Sequence, residues 1–151
     1  MDRREFASMV PALLSLTALL PKDGEAQAAT SPSAPLPTLT SNTFHPAPAS
    51  GSNSGRVSHR YLIGMLAAGN IRLEMHETIQ QPGAEHEPLG THKHNEIWCV
   101  QRGIASLYIN GTEHRMEAGD VGLVCAGDQH WIKNNGPTEL AYFVITLGPP
   151  E

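Results

Sequence analysis

The stretch GTHKHNEIW, residues 90–98, sets His92, His94 and Glu96 two residues apart. On a helix that spacing spreads three side chains around the cylinder. On a strand alternate side chains share a face, so two imidazoles and one carboxylate project together, as a metal-binding face would need. The same parity brings Trp98 and Val100 inward as an apolar wall and leaves Lys93 and Asn95 facing out.

A strand at this place needs partners, and the chain supplies them. Val57 to Leu66 and Ile71 to Ile79 are short runs of alternating character, split by Ala-Ala-Gly-Asn. Glu96 to Val100 ends at Arg102-Gly103, and Ile104 to Ile109 and Thr112 to Met116 flank Asn110-Gly111, a strong two-residue hairpin signal. Gly-containing turns then separate Val121 to Cys125 from His130 to Lys133, and Leu140 to Leu147 is an unbroken apolar run that reads as a strand buried on both faces. Many short strands at near-regular intervals, with no sustained helical period, predict an all-β fold: a small antiparallel barrel or sandwich. On the run from Ile71 to Ile79 the apolar Ile71, Leu73 and Met75 are expected to face inward, which would carry Glu77 in and His76 out.

The first 28 residues read as a leader. Arg3-Arg4 precede Phe6, an apolar run extends to Leu20, and Ala26-Gln27-Ala28 offers small residues for cleavage. The order resembles a twin-arginine export signal, and the run is short against the roughly 20 residues that span a bilayer. The expected location is periplasmic or secreted. Residues 29–56, dominated by Ala, Ser, Thr, Pro and Gly, read as a disordered linker or loose arm, leaving residues 57–151 as one small domain.

Removing residues 1–28 takes three of the 10 basic and four of the 15 acidic residues, so the remainder is acidic with a formal charge of −4. Nothing in it forms the basic stripe that nucleic-acid binding requires. No segment after the leader is apolar and long enough for a membrane span. Cys99 and Cys125 stand in no Cys-x-x-Cys arrangement and read as two buried free thiols.

Gly119 is followed by five residues and Cys125, then Ala126 and Gly127, then His130 after two residues and Asn134 after three more. This resembles the second motif of the cupin superfamily, with Cys125 where the family has Pro. Glu96 through Gly103 is similar to the second half of the first cupin motif, and Pro82-Gly83 to its start. The resemblance covers about residues 57–151 and implies a jelly-roll barrel, the double-stranded β-helix.

It also implies a ligand set. A family member with a three-residue gap before the Glu would carry histidines at positions 90 and 92; this chain has Gly90 and His92, with His94 added. Either His94 replaces the ligand missing at Gly90, or a shortened loop makes His92-Lys93-His94 the pair itself. Both alignments nominate His92, His94, Glu96 and His130. Imidazoles with one carboxylate favour a divalent transition metal such as iron, manganese, nickel or zinc over calcium or magnesium.

Two kinds of function follow. One is a metal-dependent small-molecule enzyme of dioxygenase, isomerase or lyase type, with Glu96 exchanging ligation for proton transfer. The other is a non-catalytic cupin that has lost metal chemistry and binds a sugar or other small ligand. Cupins commonly pair through edge strands, so a homodimer is the implied assembly. Glu77 is a lesser catalytic candidate, and Asn134 reads as a loop-stabilising residue.

Overall fold

The computed structural model describes residues 35–51 and 55–150. The leader therefore lies outside the described residues. Eight strands follow one another: β1 (Arg56–Leu66), β2 (Ile71–Gln80), β3 (Asn95–Arg102), β4 (Ile104–Ile109), β5 (Thr112–Glu117), β6 (Val121–Val124), β7 (His130–Asn134) and β8 (Leu140–Gly148). Among the described residues there is no helix, and hence none that could cross a membrane.

All pairings between the strands are antiparallel. One sheet runs β1-β2-β8-β3-β6 and the other β5-β4-β7. Residues 87–90 extend the smaller sheet along β7, where Gly90 and His130 exchange backbone hydrogen bonds of 2.8 and 3.1 Å. Both sheets contribute to one core, which includes Trp98, Val100, Leu107, Ile132, Tyr142 and Val144. Strand β8 lies between β2 and β3, consistent with its unbroken apolar sequence. The result is the antiparallel barrel that the strand pattern predicts, in the jelly-roll form that the cupin resemblance implies.

Turn chemistry matches the breaks. Asn110 adopts a positive φ of 45° and Gly111 one of 95°, as a two-residue hairpin of this twist requires. At Gly103 the φ is 84°, and a Cβ would come within 2.6 Å of the Glu139 carbonyl oxygen, so the β3–β4 turn needs glycine for both reasons.

Two expectations are corrected. Residues 35–51 do not hang loose: Leu39 N donates to Met65 O, Met65 N to Pro37 O, and Ala47 N to Arg60 O, each at 2.8 Å. The segment thus uses the unpaired backbone groups of edge strand β1, which its composition did not reveal. Gly64 makes room, since a Cβ there would meet the Pro37 oxygen at 2.6 Å and Leu39 Cγ at 2.7 Å.

The second correction concerns the facing of β2. Glu74, Thr78 and Gln80 are the buried residues, so the even positions, His76 among them, face the barrel interior. Glu77 faces out, 4.0 Å from Arg102. The inverted parity has a physical cause. Leu39 and Phe44 of the arm line a pocket with Leu62, Leu66 and Leu73, so the outer face of β1 and β2 has an apolar cover of its own. The inner face can then be polar.

Candidate metal centre

Strand β3 supplies the inward line. Its burial alternates, with Glu96, Trp98 and Val100 buried and Asn95 exposed. The strand begins at Asn95, so His92 and His94 lie in the bend before it and not on the strand itself. They still reach the same place. His92 and His94 stack with ring centroids 4.7 Å apart and planes 8° from parallel.

Glu96 is the hub. Its Oε1 lies 3.2 Å from His94 Nε2 and 3.9 Å from His92 Nε2, and its Oε2 lies 3.0 Å from His130 Nε2. Donor atoms of His92, His94 and Glu96 fall within 4.8 Å of one another, a separation that one ion could span. His130 reaches the cluster from the opposite sheet as the first residue of β7. All four predicted ligands therefore meet, three of them buried and His92 at the rim with 37 % of its side chain exposed.

Three backbone features hold the bend. Gly127 N donates to His92 O at 2.8 Å, which ties the Cys125–Gly127 turn to the histidine loop. Asn95 Oδ1 accepts from Ala126 N at 3.1 Å. Gly148 closes against His94, where a Cβ would sit 2.6 Å from both His94 Cα and Cβ. Gly148→Ala is expected to cost about 1–3 kcal/mol, the usual penalty for overpacking, and to displace His94; thermal melting and the His94 ring resonances check it.

Gly90 is more than a missing ligand. A Cβ there would lie 3.1 Å from His92 Nε2 and 3.3 Å from His130 Nε2. The backbone of residue 90 thus passes beside the ring nitrogens, and His94 occupies the cluster from the next available inward position.

The electrostatics follow from this packing. Burial pushes the Glu96 carboxyl up, but hydrogen bonds from His130 and His94 and the charges of His130 and His92 hold it below the usual carboxylate range. His130 is raised, first by its hydrogen bond to Glu96 and against burial, with help from the Asp128 carbonyl. Its Nδ1 lies 3.0 Å from Asp128 O. With Nδ1–H donating there, Nε2 is the nitrogen presented to the cluster, the arrangement that orients a ligating histidine.

A pH dependence follows for the metal-free chain. The depressed Glu96 stabilises the fold above about pH 4.5, and that contribution is lost as pH falls through its lower folded value. The raised His130 stabilises it below about pH 6.5, and that contribution is lost as pH rises through its higher folded value. Melting temperatures in chelator are expected to be highest between about pH 4.5 and 6.5, and His130→Asn is expected to flatten the upper side.

The second motif's Asn134 has the loop-stabilising role expected of it. Its Nδ2 donates to Gln80 O and Thr138 O at 3.0 and 2.8 Å, and its Oδ1 accepts from Gly136 N at 2.9 Å. Cys99 and Cys125 are free as expected, but neither is fully buried: Cys99 points off the core side of β3 and is partly covered, and Cys125 sits exposed in a turn.

A charged group on the inner face of β1 and β2 was not anticipated. Buried Glu74 accepts from Arg60 Nε at 2.9 Å and pairs with the Arg72 guanidinium. The alternation Arg72, Glu74, His76 was a readable signal once β2 faced the right way.

With this geometry described, comparison with known proteins is informative. Residues 76–146 match the family model of the cupin domain. The folded domain is a cupin. This cupin is 28 % identical over 96 residues to an oxalate-binding protein of Thermotoga maritima, covering 62 % of this chain and 77 % of that one. Among solved structures it is similar to KdgF from Halomonas sp., with a TM-score of 0.56, 18 % identity, and coverage of 74 % of this chain and 96 % of that one. An RmlC-like cupin from Shewanella frigidimarina gives a TM-score of 0.55 at 17 % identity, covering 68 % and 85 %. At these identities the structural likenesses speak to the fold.

Proposed function

We propose that this cupin holds one divalent transition metal ion on His92, His94, Glu96 and His130 and presents it to a small oxygen-bearing ligand as a metal-dependent dioxygenase, isomerase or lyase. One observation carries the reading: three imidazole Nε2 atoms, two from the bend before β3 and one from β7 of the other sheet, gather around a single buried carboxylate. Glu96 Oε2 is buried and faces His130 Nε2 at 3.0 Å, a pair of donor atoms that one ion could also draw together. Iron, manganese, nickel and zinc all accept such a set. The name of the Thermotoga maritima relative supports a small anionic oxygen ligand.

When bound, the ion would supply Lewis acidity or redox capacity. The chain's own residues would do the rest. Asp128 fixes the His130 ring, and Trp98, with its ring 6.1 Å from that of His130, closes the floor against water. Glu96, held ionised, can accept a proton from a bound ligand at a carboxylate oxygen. His92, at the rim, is the member nearest to entering ligands.

A second reading is a cupin that binds such a ligand without turning it over; the relative's name, which states binding, favours it. Incubating the metal-loaded protein with oxalate separates the two. Bound oxalate recovered unchanged supports binding alone, whereas a product supports catalysis, and failure of the protein to bind metal contradicts the metal-dependent reading and leaves the binding one. The ion and the proton compete for His130, so the melting-temperature gain on adding metal is expected to be larger at pH 8 than at pH 6. An equal gain at both would count against His130 as a ligand.

The proposal includes export to the periplasm through the twin-arginine-like leader, supported by Arg3-Arg4-Glu5-Phe6. Arg3→Lys with Arg4→Lys is expected to retain the protein in the cytoplasm, as cell fractionation would read. Pairing of two copies is also part of it, to be read by sedimentation.

A further inference from the structure

The inner wall beside the cluster carries a positive group that the metal reading leaves without a role. Glu96 of β3 pairs with Thr146 of β8, and Thr146 pairs with Glu74 of β2. The three form one row across three strands, which puts Glu74 about 10 Å from Glu96 along the wall. Arg72, one position along the inner face, pairs with Gly148, the residue that packs on His94. Its guanidinium binds Glu74 and places Nη1 3.5 Å from Thr146 Oγ1, between Glu74 and the row's Glu96 end.

Charge makes this arrangement incomplete. Arg60 and Arg72 share the single carboxylate of Glu74, leaving one positive charge in excess. Water screens Arg60, with 56 % of its side chain exposed, but reaches Arg72 poorly, with 17 %, so the guanidinium on the inner wall is Arg72's. A divalent ion on the single carboxylate of Glu96 would leave a second excess positive charge within about 10 Å along the same wall. A guanidinium is a planar fork matched to a carboxylate, and Glu74 and Arg60 hold this one in place.

We propose that Arg72 is the specificity-determining residue of the site and receives one carboxylate of a short dicarboxylate dianion, whose other carboxylate faces His92, His94, Glu96 and His130. This rests on the metal reading above. Glu74 and Arg60 are positioning residues that aim the guanidinium, and the Thr146 hydroxyl is placed to donate to the same carboxylate. The ligand is short because the wall between the two positive centres is a single strand wide.

The test is calorimetric titration of metal-loaded protein with oxalate and with acetohydroxamate, a chelator that carries no carboxylate. Arg72→Gln is expected to weaken oxalate by about 10–100-fold, the worth of a charge-assisted hydrogen bond, while acetohydroxamate affinity and metal content stay within about twofold. Arg72→Lys is expected to keep part of the oxalate affinity, with a steeper dependence on salt. Equal weakening of both ligands, or of neither, overturns the proposal while leaving the metal reading intact. A wild-type chain that holds no metal overturns both.

Should Arg72→Gln fail to fold, two measurements still decide. Wild-type protein is expected to bind oxamate, in which an amide replaces one carboxylate, about tenfold more weakly than oxalate. Arg60→Gln, at a half-exposed side chain, is expected to weaken oxalate alone. Equal affinities for oxalate and oxamate overturn the proposal.

Discussion

Glu96→Gln is expected to lower metal affinity by more than about 100-fold, beyond the 10–100-fold typical of changes to residues that only support a ligand. The substitution keeps the shape of the side chain and removes its charge. That charge faces three imidazoles, two of them within 3.2 Å. Loss of the carboxylate therefore removes a ligand and also the group that organises the other three. Metal titration followed by absorbance of a cobalt-substituted sample reads the effect. Retained affinity would mean that the histidines bind an ion unaided and that Glu96 is not the hub.

Trp98→Ala is expected to destabilise the domain by about 3–5 kcal/mol, the cost of truncating a large buried aromatic. Trp98 is 2 % exposed, packs 5.5 Å from the Tyr142 ring and lies beneath His130. At about 4–8 °C per kcal/mol for a domain near 100 residues, melting should fall by well over 10 °C. Because the indole also supports the His130 ring, metal affinity should fall with it. Trp98→Phe should recover most of the stability. A loss confined to metal affinity would contradict the placement of Trp98 in the core.

The two effects meet in one strand, and that strand was legible. Glu96, Trp98 and Val100 alternate with less buried neighbours because β3 is the floor of one sheet and packs on the other. Hydrophobic alternation and glycine turns also located the other seven strands to within a residue or two, since each break coincides with a residue whose backbone needs are local. His130 was found through its spacing from Gly119 and Gly127, which sit at turns with φ near 90°.

What sequence reading missed depends on contacts between distant segments. An apolar line on β2 normally marks the inner face; here the arm around Leu39 and Phe44 covers that line from outside. The polar line of Arg72, Glu74 and His76 is turned inward instead. Nothing local to residues 35–51 says that they will pair with β1, because the pairing uses backbone groups. Gly90 could be recognised as a departure from the cupin pattern, but its closeness to two ring nitrogens could not.

The central claim is that four side chains, from β3, the bend before it and β7 of the other sheet, hold one metal ion. The most direct test is elemental analysis of the protein purified from its native cells without chelator, with His130→Ala as control. About one transition metal per chain is expected in the wild type, and a small fraction of that in the variant. Wild-type protein with essentially no metal, or an equal content in both, would contradict the account.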